Sequence, residues 1–217
     1  MHNYPTRPAT APRAELDREL TAIRADLLRL GDRIDTAIDR AMLALLQHDR
    51  SLAREVLETD LIINARRYQL EDACLTTIAR QQPVASDLRR LIATMHIAGE
   101  LERMGDHAKG ICHIVLQQPT ATQLPLSNFE RMADAVRRML RNSLYAFAYD
   151  DIEQAERVAV SDDKIDQFHQ QNIRMLLTYM LEDRSVIEDA TYLLWASHNL
   201  ERIGDRCVNV SERTLRR

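Results

Sequence analysis

The sequence predicts an all-α protein built as two tandem antiparallel three-helix bundles that arose by internal duplication. Glycine and proline are scarce, at 5 and 6 of 217 residues, whereas a β-sandwich or barrel needs many turns. Leucine, arginine and alanine are the most frequent residues, and all three are good helix formers. Two groups of residues also recur about a hundred positions apart, which indicates a repeated unit.

Prolines divide the chain into a tail, six helices and a linker. Three prolines before residue 13 predict an extended or disordered tail over residues 1–12. Pro83 separates the second helix from the third, and Pro119 and Pro125 bracket a linker. Uninterrupted stretches between these breaks are too long for single helices, so capping residues must mark the other turns. We expect helices over 13–48, 50–81, 84–117, 127–149, 151–182 and 185–216.

Capping residues predict the starts of the helices that no proline precedes. Asp49 and Ser51 follow an apolar run, and either can cap the second helix. The capping-box pattern, in which serine or aspartate precedes glutamate by three residues, recurs at the starts of the last three helices. Its members there are Ser127 with Glu130, Asp150 with Glu153, and Ser185 with Glu188.

The internal duplication is visible in two sets of matching residues. One set recurs 102 positions later and a second set recurs 99 positions later, so a small deletion separates them. The matches are Ala53, Val56, Asp60 and Ile63 with Ala155, Val158, Asp162 and Ile165, and Glu102-Arg-Met-Gly-Asp106 with Glu201-Arg-Ile-Gly-Asp205. We therefore predict a first bundle over residues 13–118 and a second over residues 126–217.

Composition excludes several classes of protein. The net charge is −4, so no basic excess points to nucleic acid. Apolar stretches run to only a few residues, whereas a membrane-spanning helix needs about 20, and no secretory signal is visible. The three cysteines form no CxxC pair and lie in apolar-periodic stretches, as small buried side chains do. We expect a soluble protein of the cytoplasm, a reducing compartment.

Four polar pairs at i, i+4 spacing form the strongest candidate site. Residues four apart lie on the same face of an α-helix, and the second and third helices of a three-helix bundle are neighbours. If their polar faces meet, each bundle gathers three or four acidic oxygen donors. The second helices carry Asp60/Asn64 and Asp162/Asp166, and the third helices carry Glu102/Asp106 and Glu201/Asp205.

Such a concentration of carboxylates needs countercharge. Hard cations take several carboxylate oxygens, and Mg²⁺, Mn²⁺ and iron all fit oxygen-rich sites. The alternative is an ordinary solvated face with arginine partners such as Arg66, Arg103 or Arg202. Gly105 and Gly204 each lie between the two carboxylates of a pair, where the missing Cβ permits close helix packing. A ferritin-type oxidase is disfavoured because the sequence contains no ExxH motif.

Longer motifs around these residues resemble the PhoU family. The segments are Arg80-Gln-Gln-Pro-Val-Ala-Ser-Asp-Leu-Arg89, Glu100-Leu-Glu-Arg-Met-Gly-Asp-His-Ala108, Thr178-Tyr-Met-Leu-Glu-Asp183 and Asn199-Leu-Glu-Arg-Ile-Gly-Asp-Arg-Cys207. The resemblance covers roughly residues 13–216 in order, spacing and duplication. It implies a cytoplasmic negative regulator of phosphate uptake and of the phosphate-starvation response. Its implied partners are the ATPase subunit of the phosphate ABC transporter and a phosphate-sensing histidine kinase. Contact with the membrane would come through these partners, and the resemblance also implies a homodimer.

The resemblance also implies metal binding at the acidic pairs, because the matching motifs hold metal clusters, often iron or zinc, in some family members. The metal ligands that it implies are Asp60, Glu102 and Asp106 in the first bundle, and Asp162, Asp166, Glu201 and Asp205 in the second. Asn64 offers an amide oxygen where the second bundle has a carboxylate. We therefore expect a metal ion or cluster (Fe, Zn, Mn or Mg) that binds more tightly in the second bundle.

Two other functions compete with the regulatory adaptor. A multinuclear metal hydrolase of phosphate esters would use its metal to activate water. Against it, no base stands out beyond the carboxylates, and the sequence has no Gly-rich phosphate loop and no nucleophile elbow. A helical scaffold without ligand is the third possibility. We predict the adaptor, with no enzymatic activity.

Overall fold

The computed structural model describes residues 12–215, and these residues form six α-helices without a strand. The predicted tail falls outside the described residues except at Pro12, where α1 begins, and so does the predicted end of the last helix at residue 216. The helices are α1 Pro12–Gln47, α2 Arg50–Gln81, α3 Ala85–Gln117, α4 Ser127–Tyr149, α5 Ile152–Glu182 and α6 Ile187–Leu215, with a 3₁₀ turn at Arg184–Val186. The all-α prediction with six helices is confirmed.

The predicted cap of α2 is confirmed. The three predicted capping boxes are wrong, because Ser127, Asp150 and Ser185 do not cap the helices that follow them. The Asp49 carboxylate accepts the backbone N–H groups of Ser51 and Leu52 at 2.9 Å. Helix α4 begins at Ser127 itself, and no side chain caps it.

The starts of α5 and α6 differ from the prediction. Their capping residues lie one or two positions away from the predicted ones, because the backbone there is left-handed or extended. Asp150 has φ 58° and ends α4, so Asp151 caps α5 and accepts the Gln154 N–H at 2.9 Å. Asp183, extended and two residues before the predicted cap Ser185, accepts a hydrogen bond from the Ser185 N–H at 2.8 Å. A 3₁₀ turn therefore precedes α6.

One apolar core runs through both bundles. Helices α1–α3 pack together, α4–α6 pack together, and the two sets meet where α3 contacts α6 and α1 contacts α4. The three cysteines are buried in this core, as the sequence predicts for small apolar side chains. None of the helices within residues 12–215 combines the length and apolarity that crossing a bilayer requires.

The contact between α3 and α6 is reciprocal, as a pseudo-twofold axis requires. Glu100 on α3 accepts a hydrogen bond from Asn209 Nδ2 at 3.1 Å. The positions equivalent to these, 99 residues away, are Asn199 and Gly110, and they also pack against each other. A Cβ at residue 110 would lie 2.7 Å from Asn199 Oδ1, so only glycine admits this side chain. Asn199 Oδ1 also lies 3.1 Å from His107 Nδ1.

Opposite charges at equivalent positions join α1 to α4. Arg137 Nε donates to Asp35 Oδ1 at 2.9 Å, and Arg137 also pairs with Asp39. Positions 35 and 137 are 102 residues apart and therefore correspond in the duplication. Two copies of the first bundle would place Asp35 against Asp35, so this pair favours the observed pairing of first with second bundle.

Two helix-interior glycines give a matched test of this packing. A Cβ at Gly31 would lie 2.1 Å from Cδ1 of the buried Leu144 on α4, whereas a Cβ at Gly99 would meet nothing within 4 Å. We expect Gly31→Ala to lower the free energy of unfolding by about 1–3 kcal/mol, the usual range for overpacking. Gly99→Ala is expected to raise it by up to about 1 kcal/mol, because alanine favours the helix. Urea denaturation measures both, and equal effects of the two substitutions would contradict the packing argument.

Candidate functional site

The first acidic patch lies between α2 and α3 and already contains a cation. Lys109 Nζ lies 3.0 Å from Asp60 Oδ2 and 2.9 Å from Asp106 Oδ1, so it bridges the two helices. Although partial burial disfavours its charge, hydrogen bonds to Asp106 and Asp60 raise the pKa of Lys109. Asn64 donates its amide Nδ2 to Asp60 Oδ2 at 3.1 Å. Lys109 and Asn64 therefore supply part of the countercharge and hydrogen bonding in the first patch.

Glu102 completes the first patch. Its pKa is raised by partial burial and by the charge of Asp106, with Asp60 contributing in the same direction and Arg67 opposing. Asp60 Oδ1 is buried and accepts no hydrogen bond within residues 12–215. The structure thus brings the predicted residues Asp60, Asn64, Glu102 and Asp106 together, with a lysine among them.

The second acidic patch lies between α5 and α6 and has no lysine. Position 208, equivalent to Lys109, is a valine. Burial raises the pKa of Asp162 to about 6, and the charges of Asp166, Asp205 and Glu201 add to the rise. The four predicted carboxylates Asp162, Asp166, Glu201 and Asp205 therefore lie in one neighbourhood, and their role as metal ligands stays a prediction.

The second patch is also incompletely satisfied. Glu201 Oε2 is buried and accepts no hydrogen bond among the described residues, and burial followed by the charge of Asp205 raises the pKa of Glu201. Arg202 Nη1 lies 2.6 Å from Asp205 Oδ2, and the His198 imidazole Nδ1 lies 3.4 Å from Glu201 Oε2. The arginine partner weighed from the sequence is therefore present, but it reaches one carboxylate.

Gly204 allows Asp162 into the interface between α5 and α6. A Cβ at residue 204 would lie 3.0 Å from Asp162 Oδ1 and 3.3 Å from Ile165 Cγ2. Its counterpart Gly105 instead accommodates Ile34 Cδ1 at 3.3 Å. Both glycines serve close packing, and only the second admits a carboxylate to the interface.

A buried polar cluster next to the second patch was not predicted from the sequence. His169 Nδ1 lies 2.8 Å from Ser197 Oγ, which accepts a hydrogen bond from Asn172 Nδ2 at 3.0 Å. Equivalent positions in the first bundle hold Arg67, Ala98 and Leu70. The sequence feature that could have indicated this cluster is the presence of polar residues, Ser197 and Asn172, where the other repeat has apolar ones. That the two side chains meet is visible only in the packed structure.

The donor chemistry of the second patch fits a hard cation better than that of the first. Each patch has one buried carboxylate oxygen that accepts no hydrogen bond from the residues that the structure describes, but the second has four carboxylates to share a di- or trivalent ion, whereas in the first Lys109 already pairs with two of the three. As the side chains stand, no group of three His, Cys, Asp or Glu residues within positions 12–215 converges tightly enough to hold one ion. Ion binding would therefore require side-chain rotation, and the predicted ligands stay predictions.

The raised pKa of Asp162 predicts how stability depends on pH. The folded protein holds the Asp162 proton up to about pH 6, whereas an ordinary aspartate releases it near 3.8. Raising the pH from 4 to 6 should therefore lower this residue's contribution to the free energy of unfolding. In chelator, Asp162→Asn should be more stable than the wild type at pH 7.5, by an amount that shrinks at pH 5. Urea denaturation measures the difference.

A matched substitution controls for general loss of negative charge. Glu182→Gln changes an exposed carboxylate at the far end of α5 and should leave the pH profile unchanged. If Asp162→Asn and the wild type had parallel stability profiles between pH 5 and 7.5, the carboxylates of the second patch would not be coupled in solution.

Fold and site together define a class of protein: a duplicated helical bundle with an acidic patch between the second and third helices of each repeat. A family model described as the PhoU domain matches the chain twice, at residues 27–115 and 129–214. The chain belongs to the PhoU family, and the resemblance seen in the sequence is confirmed.

Curated relatives and solved structures agree with this membership. The phosphate-specific transport system accessory protein PhoU of Edwardsiella tarda is 36% identical over 199 residues, which cover 91% of this chain and 82% of that protein. The Escherichia coli (strain K12) protein of the same name is 35% identical, with 91% and 83% covered. The crystal structure of PhoU from Pseudomonas aeruginosa superposes with a TM-score of 0.86 at 32% identity, covering 92% of this chain and 96% of that one.

Proposed function

We propose that this protein is a cytoplasmic negative regulator of phosphate uptake and of the phosphate-starvation response. The observation that carries the proposal is membership of a family whose curated relatives are named accessory proteins of the phosphate-specific transport system. The protein would act as a helical adaptor between the ATPase subunit of the phosphate ABC transporter and a phosphate-sensing histidine kinase. Membrane contact would come through these partners.

We propose that the adaptor binds metal, chiefly at the second patch. Its support is the raised pKa of Asp162 and the buried, unpartnered oxygen of Glu201, both of which a cation would relieve. Oxygen donors suit Mg²⁺, Mn²⁺ or iron, and zinc also accepts carboxylate ligands. A bound cation would join α5 to α6 and thereby fix the relative position of two helices that a partner can contact.

The outer face of α2 supports protein contacts by this adaptor. Leu61, Tyr68 and Leu75 are seven residues apart and are 77%, 62% and 56% exposed, so they form an apolar stripe along one helix face. Equivalent positions on α5 hold Asp163, Gln170 and Leu177, so the fold does not require an apolar residue at the first two of the three. We place the second copy of a homodimer on this stripe, because a heptad-spaced seam suits pairing with an identical helix.

The proposal assigns no enzymatic activity. Support comes from the names of the relatives, which describe accessory proteins, and from the position of the carboxylates in contact between two helices. A metal hydrolase would need substrate access to its ion, whereas Asp162 is wedged against Gly204. Turnover of phosphate esters by the metal-loaded protein would contradict this assignment.

Affinity purification from phosphate-replete cells tests the proposal. The tagged protein should recover the transporter ATPase, the sensor kinase and an untagged second copy of itself, and elemental analysis of the same sample should find metal. Leu61→Glu should remove the second copy without unfolding the chain, because the side chain is exposed. Recovery of neither the ATPase nor the kinase would contradict the adaptor role.

A further inference from the structure

A groove of about 680 Å³ separates α1 from α2 on the side of the first bundle away from α3. Its floor is formed by buried apolar side chains such as Leu30, Val56 and Ile63. Four arginines, Arg29, Arg33, Arg40 and Arg66, and two aspartates, Asp26 and Asp32, line its walls. The lining is therefore basic in a chain whose net charge is −4.

Two of the four arginines are not neutralised by a carboxylate. Arg29 pairs with Asp26 at 2.6 Å, and Arg40 pairs with Glu55. Arg66 donates only to the neutral Gln69 Oε1, at 3.0 Å. Arg33 forms no ion pair or hydrogen bond with any other residue between 12 and 215.

Arg33 and Arg66 line the groove from different helices, Arg33 from α1 and Arg66 from α2. Helices α1 and α2 are antiparallel and joined by a tight turn, and the Arg40–Glu55 pair fixes their register. In that register position 66 lies opposite positions 29 to 33. Arg29, Arg33 and Arg66 therefore lie at the same end of the groove, and the forked N–H donors of guanidinium groups match the oxygens of a phosphate group.

The second bundle shows that the fold does not require these arginines. The positions equivalent to Arg33, Arg40 and Arg66 hold Ala135, Asn142 and Phe168. Phe168 packs against the core, in the place where the first bundle has an open, arginine-lined wall. Arg33, Arg40 and Arg66 are thus features of the first repeat alone and bundle packing does not explain them, whereas Arg29 has a counterpart in Arg131.

The lining selects the chemical class of the ligand. The accessible lining of the groove is divided about evenly between polar and apolar surface, so it can hold an anionic group on its arginines and an organic body on its apolar floor. Its volume lies within the 300–1,000 Å³ that is usual for small-molecule sites. That space exceeds a single phosphate group and accommodates an organic body beside it.

We propose that the groove between α1 and α2 binds a phosphorylated organic anion of nucleotide size, with its phosphate groups on Arg29, Arg33 and Arg66. The site is separate from the acidic patches, which lie between α2 and α3 and between α5 and α6. It does not depend on the regulatory role, so direct binding tests it without reference to any partner.

Isothermal titration calorimetry of the purified chain with ATP, in chelator to exclude metal bridging, tests the site. We expect saturable binding, at least tenfold weaker after Arg33→Ala and after Arg66→Phe. Both substitutions install the residue found at the equivalent position of the second bundle, so they suit the fold. Arg131→Glu, which reverses charge at the position equivalent to Arg29, should leave the affinity unchanged.

Several outcomes would overturn the proposal. The proposal would fail if the protein showed no saturable ATP binding, or if both groove variants bound ATP as tightly as the wild type. It would also fail if Arg131→Glu lost as much affinity for ATP as the groove variants. Inorganic tripolyphosphate binding as tightly as ATP would overturn the assignment to an organic anion. Circular dichroism of each variant separates loss of the site from loss of the fold. If Arg66→Phe does not fold, the affinity of Arg33→Ala alone tests the proposal.

Discussion

Replacing Val208 with lysine should abolish metal binding at the second patch. Val208 is the counterpart of Lys109, whose ammonium lies 3.0 Å from Asp60 Oδ2 and 2.9 Å from Asp106 Oδ1. A lysine at 208 would place its charge among Asp162 and Asp205 in the same way. Repulsion between two unit charges about 4 Å apart is worth about 4 kcal/mol at an effective dielectric constant near 20, and the double charge of Mn²⁺ raises it further. We therefore expect Mn²⁺ affinity to fall by about 100-fold or more.

The reciprocal substitution should move the properties of the second patch to the first. Lys109→Met removes the internal countercharge, so the metal-free protein should lose stability at pH 7.5 and its first patch should gain Mn²⁺ affinity. Val208→Lys should have the opposite effect on metal-free stability, because it supplies the countercharge that the second patch lacks. Titration calorimetry and urea denaturation of the two variants measure both effects.

A charge-matched control keeps this test specific. Leu215→Lys adds the same charge to α6 at an exposed position about 15 Å from Asp205 along the helix, beyond the Debye length at physiological salt. It should leave Mn²⁺ affinity unchanged. If the wild-type protein bound Mn²⁺ more tightly at the first patch, or bound none, the metal proposal for the second patch would fail.

Deleting the gene should switch on phosphate-starvation genes in cells grown with ample phosphate. An adaptor that holds the sensor kinase silent contributes a coupling free energy, and its removal returns the kinase to its uninhibited equilibrium. A starvation-gene reporter should then rise to the level of phosphate-starved wild-type cells. Unchanged expression at both high and low phosphate would contradict the regulatory proposal.

Complementation connects this result to the site. The wild-type chain should restore repression, and Glu182→Gln, the exposed control, should restore it equally. A double substitution of Asp162 and Asp166 by asparagine should restore repression only in part if metal at the second patch sets the adaptor's conformation. Full repression by the double variant would separate metal binding from regulation.

Local signals were sufficient to predict the helices. Helix periodicity and capping depend on residues a few positions apart, so the sequence placed each of the six helices to within two residues, including the Asp49 cap. The one- or two-residue errors at Asp150 and Ser185 arose where several capping residues adjoin. The choice between them depends on backbone angles that the pattern does not specify.

The sequence by itself determined the duplication and the acidic pairs, because i, i+4 spacing on a helix is a local geometric property. It also contained Lys109 three positions after Asp106. That Lys109 reaches Asp60 on another helix, that Gly204 admits Asp162 to an interface, and that Arg137 meets Asp35 were decided by tertiary structure. The physical reason is that charge balance and burial depend on distances between helices, which packing sets and which no spacing along one chain encodes.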